Sequence, residues 1–578
     1  MLKLIKDNLK GSALAWATVA PLMMFLEVAM DLQQPALMAR IIDVGVAKGD
    51  LPFVLHTGAL MIAMAIAGFA GGALCSIFSA RAAVTMSGEM RHSLFRKIQS
   101  LTFAEIDAFK TSSLVTRVTN DVMQMQHMLL MMLRIMVRSP LIFIGCVIMS
   151  FMLSPSLALV FAVIIPLVVA SVAIVFSKAT PLFSVAQASL DRMNTIMREN
   201  LLGARVVKAF TMESHEEARF AGANEELTER SIKAQRLVFV LLPVVTLIMN
   251  LGVVFVLWTG GREVMRGGIE IGKIMAFINY LVQISGSLMM AIMLVVNISR
   301  AQASAVRINE VLAATPSITE PQGSRHMADL SVEFSRVSFA YPGSRANALT
   351  DVSFSVCQGQ TVGIIGATGS GKTTLAALIP RLYDVTEGQL LVGGVDVRSL
   401  SLAELRERIG MVMQETSLFA GTVEANLRFG SPNASIKDLD GACADAQAID
   451  FLKGPDADYG IPVEQRGRNF SGGQKQRFSI ARTLLHEPGI LILDDSTSAI
   501  DLKTESFLRA AIAGRMRGKT VFVIAQRISA VMNADVIVVL DAGRVAALGA
   551  HRELIETSDI YRSIVASQLG EEALRHGN

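Results

Sequence analysis

The sequence predicts a multidomain protein in which an all-α transmembrane domain of six helices precedes an α/β domain. Apolar residues make up 52% of the 578 residues and charged residues only 18%, with a mean hydropathy of +0.47. These values exceed those of an ordinary soluble domain. The long apolar stretches all lie before residue 300, and a glycine-rich phosphate-binding pattern follows among shorter, strand-like runs. The chain is therefore expected to contain one membrane part and one α/β part.

Six apolar stretches are each long enough to cross ~30 Å of hydrocarbon, which requires ~20 helical residues. The first is not a cleavable signal peptide, because it is too long and contains Glu27, Asp31 and Arg40. Basic residues crowd the N-terminus and the second and fourth connections, so the positive-inside rule predicts cytoplasmic termini for a multi-pass protein of the inner (cytoplasmic) membrane. The basic fifth connection is a weak indication against this orientation. The stretches are 12–43, 53–80, 129–153, 155–177, 237–260 and 274–299.

The second and fourth connections keep a helical pattern over about fifty residues each. Because a helix rises ~1.5 Å per residue, we expect these helices to extend ~30 Å into the cytoplasm. Two short segments are candidates for the turns between them, Phe103–Phe109 and a stretch near Ala209–Glu213. Periodicity alone fits ordinary amphipathic helix ends equally well.

A stretch with two prolines and small polar residues, 314–324, ends the sixth helical pattern and is typical of a linker. We therefore predict a transmembrane domain over 1–312, a linker over 313–330 and a second domain over 331–578. Alternation over 332–340 predicts a strand, and the apolar runs 362–365 and 490–493 predict buried parallel strands.

The first buried run leads into a match to G-x-x-x-x-G-K-[ST] with a helical pattern after it. Glycines allow the backbone to wrap phosphates, and amides at the helix N-terminus hold their negative charge. Lys372 would neutralise the β and γ phosphates, and Thr373 would offer a hydroxyl to Mg²⁺. The predicted ATP-binding residues of this loop are Gly366, Thr368, Gly369, Ser370, Gly371, Lys372, Thr373 and Thr374.

Further motifs follow in a fixed order. They are Phe470-Ser471-Gly472-Gly473-Gln474, the strand Ile490–Asp494 with Asp495 after it, and Gln526 after a second apolar run. With six spans before them, these motifs resemble the ATP-binding cassette (ABC) exporters, and the resemblance covers almost the whole chain. Half-transporters of that family join a six-helix membrane domain to one P-loop ABC ATPase domain. The two turn candidates then resemble the family's cytoplasmic coupling helices.

The resemblance implies roles for single residues. Tyr341 would stack on adenine, although a tyrosine beside a proline is also an ordinary turn aromatic. Asp494, Thr373 and Gln414 would hold Mg²⁺, and Gln414 would connect the metal and the attacking water to the coupling helices; alone it would be read as a polar loop residue. The signature Phe470–Gln474 would face the nucleotide of a partner subunit. The preceding loop, Glu464–Gly467, departs from the family's Gly-Glu-Arg-Gly.

Two positions expected to support hydrolysis are changed. Asp495 stands where the family has glutamate, one methylene (about 1.5 Å) shorter, and a misplacement of ~1 Å can cost about 100-fold in rate. Gln526 stands where the family has histidine, and an amide does not carry a proton there. The pair resembles the degenerate-site subunit of a heterodimeric bacterial multidrug-type exporter. The alternative is that Asp495 hydrolyses ATP slowly.

We therefore expect ATP-driven export of a small amphipathic or hydrophobic compound, with ATP and Mg²⁺ as cofactors and a second half-transporter as partner. A formal charge of +3 without a basic cluster predicts no nucleic-acid binding. Two alternatives are a homodimeric transporter with slow hydrolysis and a non-transporting ATP-binding regulator of the membrane. The segment Ser498–Asp501 resembles the family's link between the two sites, or is a turn capped by Asp501.

Charged residues also occur inside the predicted spans. Glu27 and Asp31 share one helix face, as do Arg134 and Arg138, since both pairs are spaced i, i+4. A structural ion-pair cluster and a substrate path both remain open. Methionine clusters favour adaptable packing over a copper path, because no Cys or His completes a metal site. They are Met123, Met125, Met128, Met131, Met132, Met136, Met289, Met290 and Met293.

Overall fold

The computed structural model of the protein describes residues 1–321, 323, 325–452 and 458–570, without the side chains of 291–293, 295, 296 and 502. Two compact units are present. The first comprises Met1–Lys97 and Ser112–Ala313, and the second joins Ile98–Thr111 to the described chain from Ala314 onwards. Three sequence predictions extend outside the described residues: Gln322 and Ser324 of the linker, the side chain of Met293, and 571–578 of the second domain.

The first unit is helical, as expected for segments whose backbone polar groups cannot be satisfied by water in lipid. Two π-helical stretches, Ile41–Val46 and Arg117–Asp121, continue its helices. The helices of this part of the chain are α1 (Leu2–Asn8), α2 (Ser12–Arg40), α3 (Leu51–Gln99), α4 (Phe103–Phe109, in the second unit), α5 (Thr111–Thr116), α6 (Val122–Leu153), α7 (Pro155–Ala158), α8 (Phe161–Leu202), α9 (Ala204–Ala209), α10 (Glu213–Met265) and α11 (Ile271–Ala313).

The six predicted spans are confirmed. In the described chain, six helical stretches are long and apolar enough to cross a membrane. Four of the described helices are far longer than a bilayer requires, α3 with 49 residues, α8 with 42, α10 with 53 and α11 with 43. For α3, α8 and α10 the helical pattern of the connections predicts this length. The stretches are Ser12–Val46, Leu51–Gln99, Thr111–Leu153, Pro155–Leu202, Glu213–Met265 and Ile271–Met290.

Of the two predicted short helices, the first lies where expected and the second does not. Helix α4 covers Phe103–Phe109 and begins with a capping box between Thr102 and Glu105. The prediction of a second short helix near Ala209–Glu213 was wrong, because α9 ends at Ala209. Helix α8 ends at Leu202 and only Gly203 separates it from α9, while Thr211 with φ +55° interrupts the backbone before α10.

The second unit contains two larger sheets. In the six-stranded sheet, order β12-β11-β3-β10-β9-β6, all neighbours are parallel except β11 and β12. The second sheet is antiparallel, in the order β2-β1-β4-β5, and β7 pairs with β8. The strands are β1 (Val332–Phe339), β2 (Leu349–Val356), β3 (Thr361–Gly366), β4 (Glu387–Val392), β5 (Val395–Asp396), β6 (Ile409–Val412), β7 (Gly421–Thr422), β8 (Pro462–Val463), β9 (Ile490–Asp494), β10 (Thr520–Ile524), β11 (Val536–Asp541) and β12 (Arg544–Gly549).

Helices cover the parallel sheet, whose central strands are buried along most of their length, as the continuous apolar runs predict. The α/β prediction for this part of the chain is confirmed. The helices are α12 (Lys372–Leu378), α13 (Leu402–Arg408), α14 (Val423–Leu427), α15 (Ile436–Asp445), α16 (Gly472–Leu485), α17 (Leu502–Arg515), α18 (Ile528–Val531), α19 (His551–Thr557) and α20 (Asp559–Leu569).

A buried polar network joins the start of α6 to the end of α11 in the first unit. Asp121, 2% exposed, accepts hydrogen bonds from the guanidinium of Arg307 at both carboxylate oxygens and from the hydroxyl of Ser304 at 2.9 Å. Arg117 donates to the carbonyl of Arg307 at 2.5 Å and pairs with Glu310 at 2.9 Å. Such a carboxylate is tolerated in the interior because it is paired and hydrogen-bonded.

We predict that Arg307→Met destabilises the protein by about 3 kcal/mol, because it leaves the buried carboxylate of Asp121 without its cation. Glu310→Gln is the matched control. The Glu310 side chain is 50% exposed, and loss of such a surface pair costs less than about 1 kcal/mol. The free energy of unfolding of the purified chain in detergent, from denaturant titration, measures both changes. Equal costs would contradict the assignment of Asp121 as the stabilising centre.

Candidate nucleotide site

Three adjacent parallel strands bring the candidate site together. Ile524 at the end of β10 lies opposite Asp494 of β9 and Ile364 of β3. Because these strands are parallel, the loops that leave their carboxyl ends meet at one edge of the sheet. β6 lies beside β9 and brings Gln414 to the same edge. The loops surround a cavity of about 330 Å³ whose lining includes Tyr341, Thr368, Gly369, Gly371, Lys372, Thr373, Thr374, Gln414, Asp494, Asp495 and Gln526.

The loop between β3 and α12 has the geometry of a phosphate cradle. An added Cβ at Gly366 would lie 2.1 Å from the carbonyl oxygen of Leu540, so only glycine fits there. Gly369 has φ +84°, and an added Cβ there would meet no atom within 4 Å. Ser370 has a buried hydroxyl with no hydrogen-bond partner among the described residues. The residues present therefore fit a polyphosphate.

Lys372 lies at the N-terminus of α12 and is held by the loop itself. Its Nζ donates to the carbonyls of Gly366 and Ala367, each at 2.8 Å. Burial lowers the pKa of Lys372, and the carboxylates of Asp495 and Asp494 partly oppose that effect. The ammonium group therefore lies in the cavity among carbonyl acceptors.

An oxygen pair suited to Mg²⁺ lies beside the lysine. The Thr373 hydroxyl donates to Asp494 Oδ1 at 3.2 Å, and Asp494 is 1% exposed. Burial raises the pKa of Asp494, and the hydrogen bond from Thr373 offsets part of this rise. Hydroxyl, carboxylate and amide oxygens are the ligands that this hard cation prefers, so Thr373, Asp494 and the nearby Gln414 fit the ion.

Asp495 is held by two amide side chains. Its Oδ2 accepts from Gln526 Nε2 at 3.0 Å and from Gln414 Nε2 at 3.4 Å. Burial raises the pKa of Asp495, and the Gln526 bond lowers it. Its backbone has φ +47°, a left-handed conformation that a non-glycine residue adopts at some cost. The carboxylate oxygen nearest these side chains is thus already occupied by donors that do not accept a proton.

Tyr341 presents an anchored ring. Its hydroxyl lies 3.0 Å from the hydroxyl of Thr374, and its ring packs edge-on against Phe339 at 4.9 Å and Tyr383 at 5.4 Å. The residue remains 36% exposed and lines the cavity. An aromatic face held in this way is available to stack on a base.

The signature residues Phe470–Gln474 form the start of α16. Ser471 caps the helix: its hydroxyl accepts from Gln474 N at 3.3 Å, and its own amide donates to Gln474 Oε1 at 2.8 Å. Ser471 and Gly472 are exposed. In the part of the chain that the structure describes, 470–474 do not line the cavity around the phosphate loop.

The segment 498–501 connects the signature helix to the site. Gln476 of α16 accepts from the amide of Ala499 at 3.2 Å and donates to the Ser498 hydroxyl at 3.3 Å. Ser498 donates in turn to the carbonyl of Asp495 at 3.0 Å. Asp501 caps α17 through a 3.0 Å bond from the amide of Thr504.

Two residues at the site were missed by sequence reasoning. Tyr383 donates to Asp107 at 2.6 Å and its ring lies 6.3 Å from Phe103, so it connects α4 to the aromatic group around Tyr341. Gln568, in the last described helix, donates to the carbonyl of Gln526 at 2.8 Å and accepts from the amide of Ile528 at 2.7 Å. Neither carries a local sequence signal, because each contact joins residues far apart in the chain.

Two family models match the chain, one described as "ABC transporter transmembrane region" over residues 18–288 and one described as "ABC transporter" over 349–498. The chain is 41% identical over 557 residues to the "Uncharacterized ABC transporter ATP-binding protein YfiB" of Bacillus subtilis (strain 168), covering 96% of this chain and 97% of the relative. The chain belongs to the ABC exporter family. This ABC exporter half-transporter is thus a multi-pass membrane protein with an ATPase domain, and ABC exporters act as dimers in the membrane.

Other matches of this ABC exporter carry functional names. The "Putative multidrug export ATP-binding/permease protein YgaD" of Bacillus subtilis (strain 168) is 32% identical, covering 83% of each chain. The "ATP-dependent lipid A-core flippase" of Syntrophus aciditrophicus (strain SB) is 32% identical, covering 84% of this chain and 80% of the relative. The structure titled "Structure of a bacterial Atm1-family ABC exporter with ATP bound" is similar with a TM-score of 0.79 and 25% identity, covering 96% of this chain and 98% of that one.

We predict that Tyr341→Ala weakens ATP binding to this ABC exporter chain about tenfold, because stacking of an aromatic ring on a base contributes about 1–3 kcal/mol. Tyr341→Phe is the control. It keeps the ring and removes only the hydroxyl contact with Thr374, so the affinity should stay within about twofold. Equilibrium dialysis of the purified chain with radiolabelled ATP and Mg²⁺ measures both. Equal losses would show that the hydroxyl, not the ring, binds the nucleotide.

Proposed function

We propose that this chain is the ATP-holding subunit of a heterodimeric ABC exporter. The observation that carries the proposal is the environment of Asp495, whose carboxylate accepts hydrogen bonds from two amides, Gln526 and Gln414. A base for hydrolysis must have a carboxylate oxygen free to orient water, and a neighbouring group that can take up a proton helps it. Here both amides bond to the same oxygen, Oδ2, which leaves Oδ1 to orient water, and neither Gln526 nor Gln414 takes up a proton.

At this chain's own site, the residues are better suited to bind ATP than to hydrolyse it. When bound, ATP supplies the phosphoanhydride whose cleavage drives the transport cycle. The loop amides and Lys372 would hold the negative charge of the phosphates, Thr373, Asp494 and Gln414 would hold Mg²⁺, and Tyr341 would orient the base. Asp495 would direct water only from a position about 1.5 Å further back than a glutamate would, while Gln526 keeps its amide on that carboxylate. Slow hydrolysis and long retention of the nucleotide follow.

The signature has a separate role in this proposal. Ser471 and the exposed amides at the start of α16 would bind the nucleotide held by a partner's phosphate loop, since a helix N-terminus is suited to anions. Their absence from the lining of this chain's described cavity supports the assignment to another subunit's site. A partner with glutamate and histidine at the changed positions would then have a complete hydrolytic site.

Nucleotide binding would drive export through two short helices, α4 and α9, which follow the long helices α3 and α8. We assign the first coupling role to α4, which contacts Tyr383 beside the base-stacking residue Tyr341, and the second to α9. The domain division is proposed as 1–312, 313–330 and 331–578, in the inner membrane with both termini cytoplasmic. Relatives named for multidrug export and for a lipid A-core flippase support an amphipathic or hydrophobic substrate.

We predict that the purified chain alone turns over ATP slowly, and that the complex with its partner half-transporter is active. Restoring this chain's site with Asp495→Glu and Gln526→His together should add a second working site, because the carboxylate is extended and a proton carrier returns. Steady-state ATPase turnover of the lone chain, the complex and the changed complex provides the measurement.

Two results decide the proposal. Lys372→Ala in the changed complex should remove only the added activity, since it disables this chain's phosphate loop and leaves the partner's site intact. Brisk turnover by the unmodified lone chain would overturn the heterodimer in favour of a homodimer.

We also predict that Ser471→Arg lowers the turnover of the complex at least about tenfold, because the added side chain occupies the face offered to the partner's nucleotide. Ser435→Arg is a matched control, since Ser435 caps α15 with the same box of reciprocal bonds, here to Asp438. Both changes lose a helix cap, worth about 1 kcal/mol of stability. An equal loss of turnover in the two variants would show that capping alone, not contact with the partner's nucleotide, explains Ser471.

A further inference from the structure

A second cavity, of about 360 Å³, lies inside the first unit. Three helices that belong to predicted spans enclose it, α2, α6 and α11. Its lining includes Asp31 and Gln34 from α2, Arg138 and Ser139 from α6, and Gln283 and Met290 from α11. Polar and charged side chains at such positions are costly in a membrane and face the interior of a bundle or a water-filled space. The cavity therefore combines a polar wall with apolar positions such as Met290.

In the ion pairs beside the cavity, two carboxylates share one arginine. Arg138 donates to Glu27 at 2.5 Å and to Asp31 at 3.2 Å, so one guanidinium serves two carboxylates. Glu27 is the closer partner, with a side chain 13% exposed, whereas the Asp31 side chain is 41% exposed and lines the cavity. Arg134, one turn earlier on α6, is exposed and does not line it. Asp31 is thus the carboxylate that faces the cavity, and it shares the guanidinium of Arg138 with Glu27.

Uncharged groups around Asp31 supply further acceptors. Ser139 is 5% exposed, and its hydroxyl has no hydrogen-bond partner within the described residues. Gln34 uses its amide nitrogen to donate to the carbonyl of Met61 at 3.0 Å, which leaves its oxygen available. A buried hydroxyl without a partner costs about 1–3 kcal/mol, so its position on a cavity wall indicates a ligand that supplies the missing bond.

Gln283 lies on α11 and bounds the polar part of the cavity. Its Oε1 accepts from the thiol of Cys146 at 3.5 Å, which fixes the orientation of the amide. Ile142 and Met290 form the apolar part of the wall. Met290 is unbranched and flexible, so it adapts to hydrocarbon groups of different shape.

We propose that this cavity binds the protonated amine of an amphipathic substrate, with Asp31 as its counter-charge and Ser139 and Gln34 as hydrogen-bond acceptors. An ammonium group gives Asp31, which shares Arg138 with Glu27, a cation of its own, and it supplies the N–H donors that the acceptors lack. The hydrocarbon part of the molecule packs against Ile142 and Met290. The substrate class rests on the proposed export function, whereas binding itself needs neither ATP nor a partner.

The test is titration calorimetry of octylammonium into the purified chain in lipid nanodiscs at neutral pH, with empty nanodiscs subtracted. Octanol and octanoate share the alkyl chain and test charge alone. We expect saturable binding of octylammonium, and affinities at least about tenfold weaker for the neutral and anionic compounds. Absence of saturable octylammonium binding, or equal binding of the three compounds, would overturn the proposal.

Single substitutions test whether octylammonium binds in this cavity. Asp31→Asn should weaken octylammonium binding about tenfold or more, because it removes the counter-charge and keeps the shape. Glu229→Gln, on an exposed face of α10, is the matched loss of a carboxylate and should leave binding unchanged. If Asp31→Asn does not fold, Met290→Trp fills the cavity without altering any charge and should abolish binding.

The outcomes distinguish a failure of the amine-binding site from a failure of the proposed role as the ATP-holding subunit of a heterodimer. Octylammonium binding that is unaffected by Asp31→Asn or Met290→Trp overturns the cavity site and leaves the degenerate-subunit assignment standing. A lone chain with brisk ATPase turnover overturns the latter without changing the calorimetry.

Discussion

The parallel pairing of β9 with β10 is the constraint on which the nucleotide site depends. The ladder sets Asp494 opposite Ile524, so Asp495, one residue beyond its strand, and Gln526, two residues beyond its strand, emerge close together. The amide of Asp495 donates to the carbonyl of Ile524 at 2.9 Å and fixes the turn in its left-handed conformation. A shift of one residue in this register would turn every side chain to the other face of the sheet.

Because the backbone is fixed in this way, the length of the Asp495 side chain determines how far its carboxylate reaches towards a bound phosphate. Asp495 has no freedom to advance towards a phosphate by moving its backbone, since both neighbouring strands are buried and paired. The bonds from Gln476 to Ser498 and from Ser498 to Asp495 then connect that backbone to the start of the signature helix. The turn that begins at Asp495 therefore contacts both functional parts of the domain, the chain's own nucleotide site and the signature helix α16.

Local patterns predicted much of this architecture. The six spans and the phosphate loop follow from apolar length and from glycine spacing, which are properties of contiguous residues. The position of α9 was not predictable, because the helical pattern continues through Gly203 and Thr211, and only the observed backbone shows where it breaks. The contact between Tyr383 and Asp107 joins residues 276 positions apart and leaves no periodic trace.

The charged residues inside the predicted spans show the same limit of prediction from local sequence patterns. Spacing of i, i+4 placed Glu27 with Asp31 and Arg134 with Arg138, yet gave no indication of which arginine would serve both acids. In the structure Arg138 pairs with both acids and Arg134 is exposed. The helix that carries the acids is also packed closely against α3, because an added Cβ at Gly71 would lie 3.0 Å from the carbonyl of Met23 and 3.1 Å from the amide of Glu27.

The bonds of Gln568 have a practical consequence for anyone who handles the molecule. Helix α20 contributes two hydrogen bonds that hold the loop of Gln526, and its Tyr561 is buried in the core below. Affinity tags, fluorescent fusions or protease nicks close to this helix would pull on the same loop that contacts Asp495.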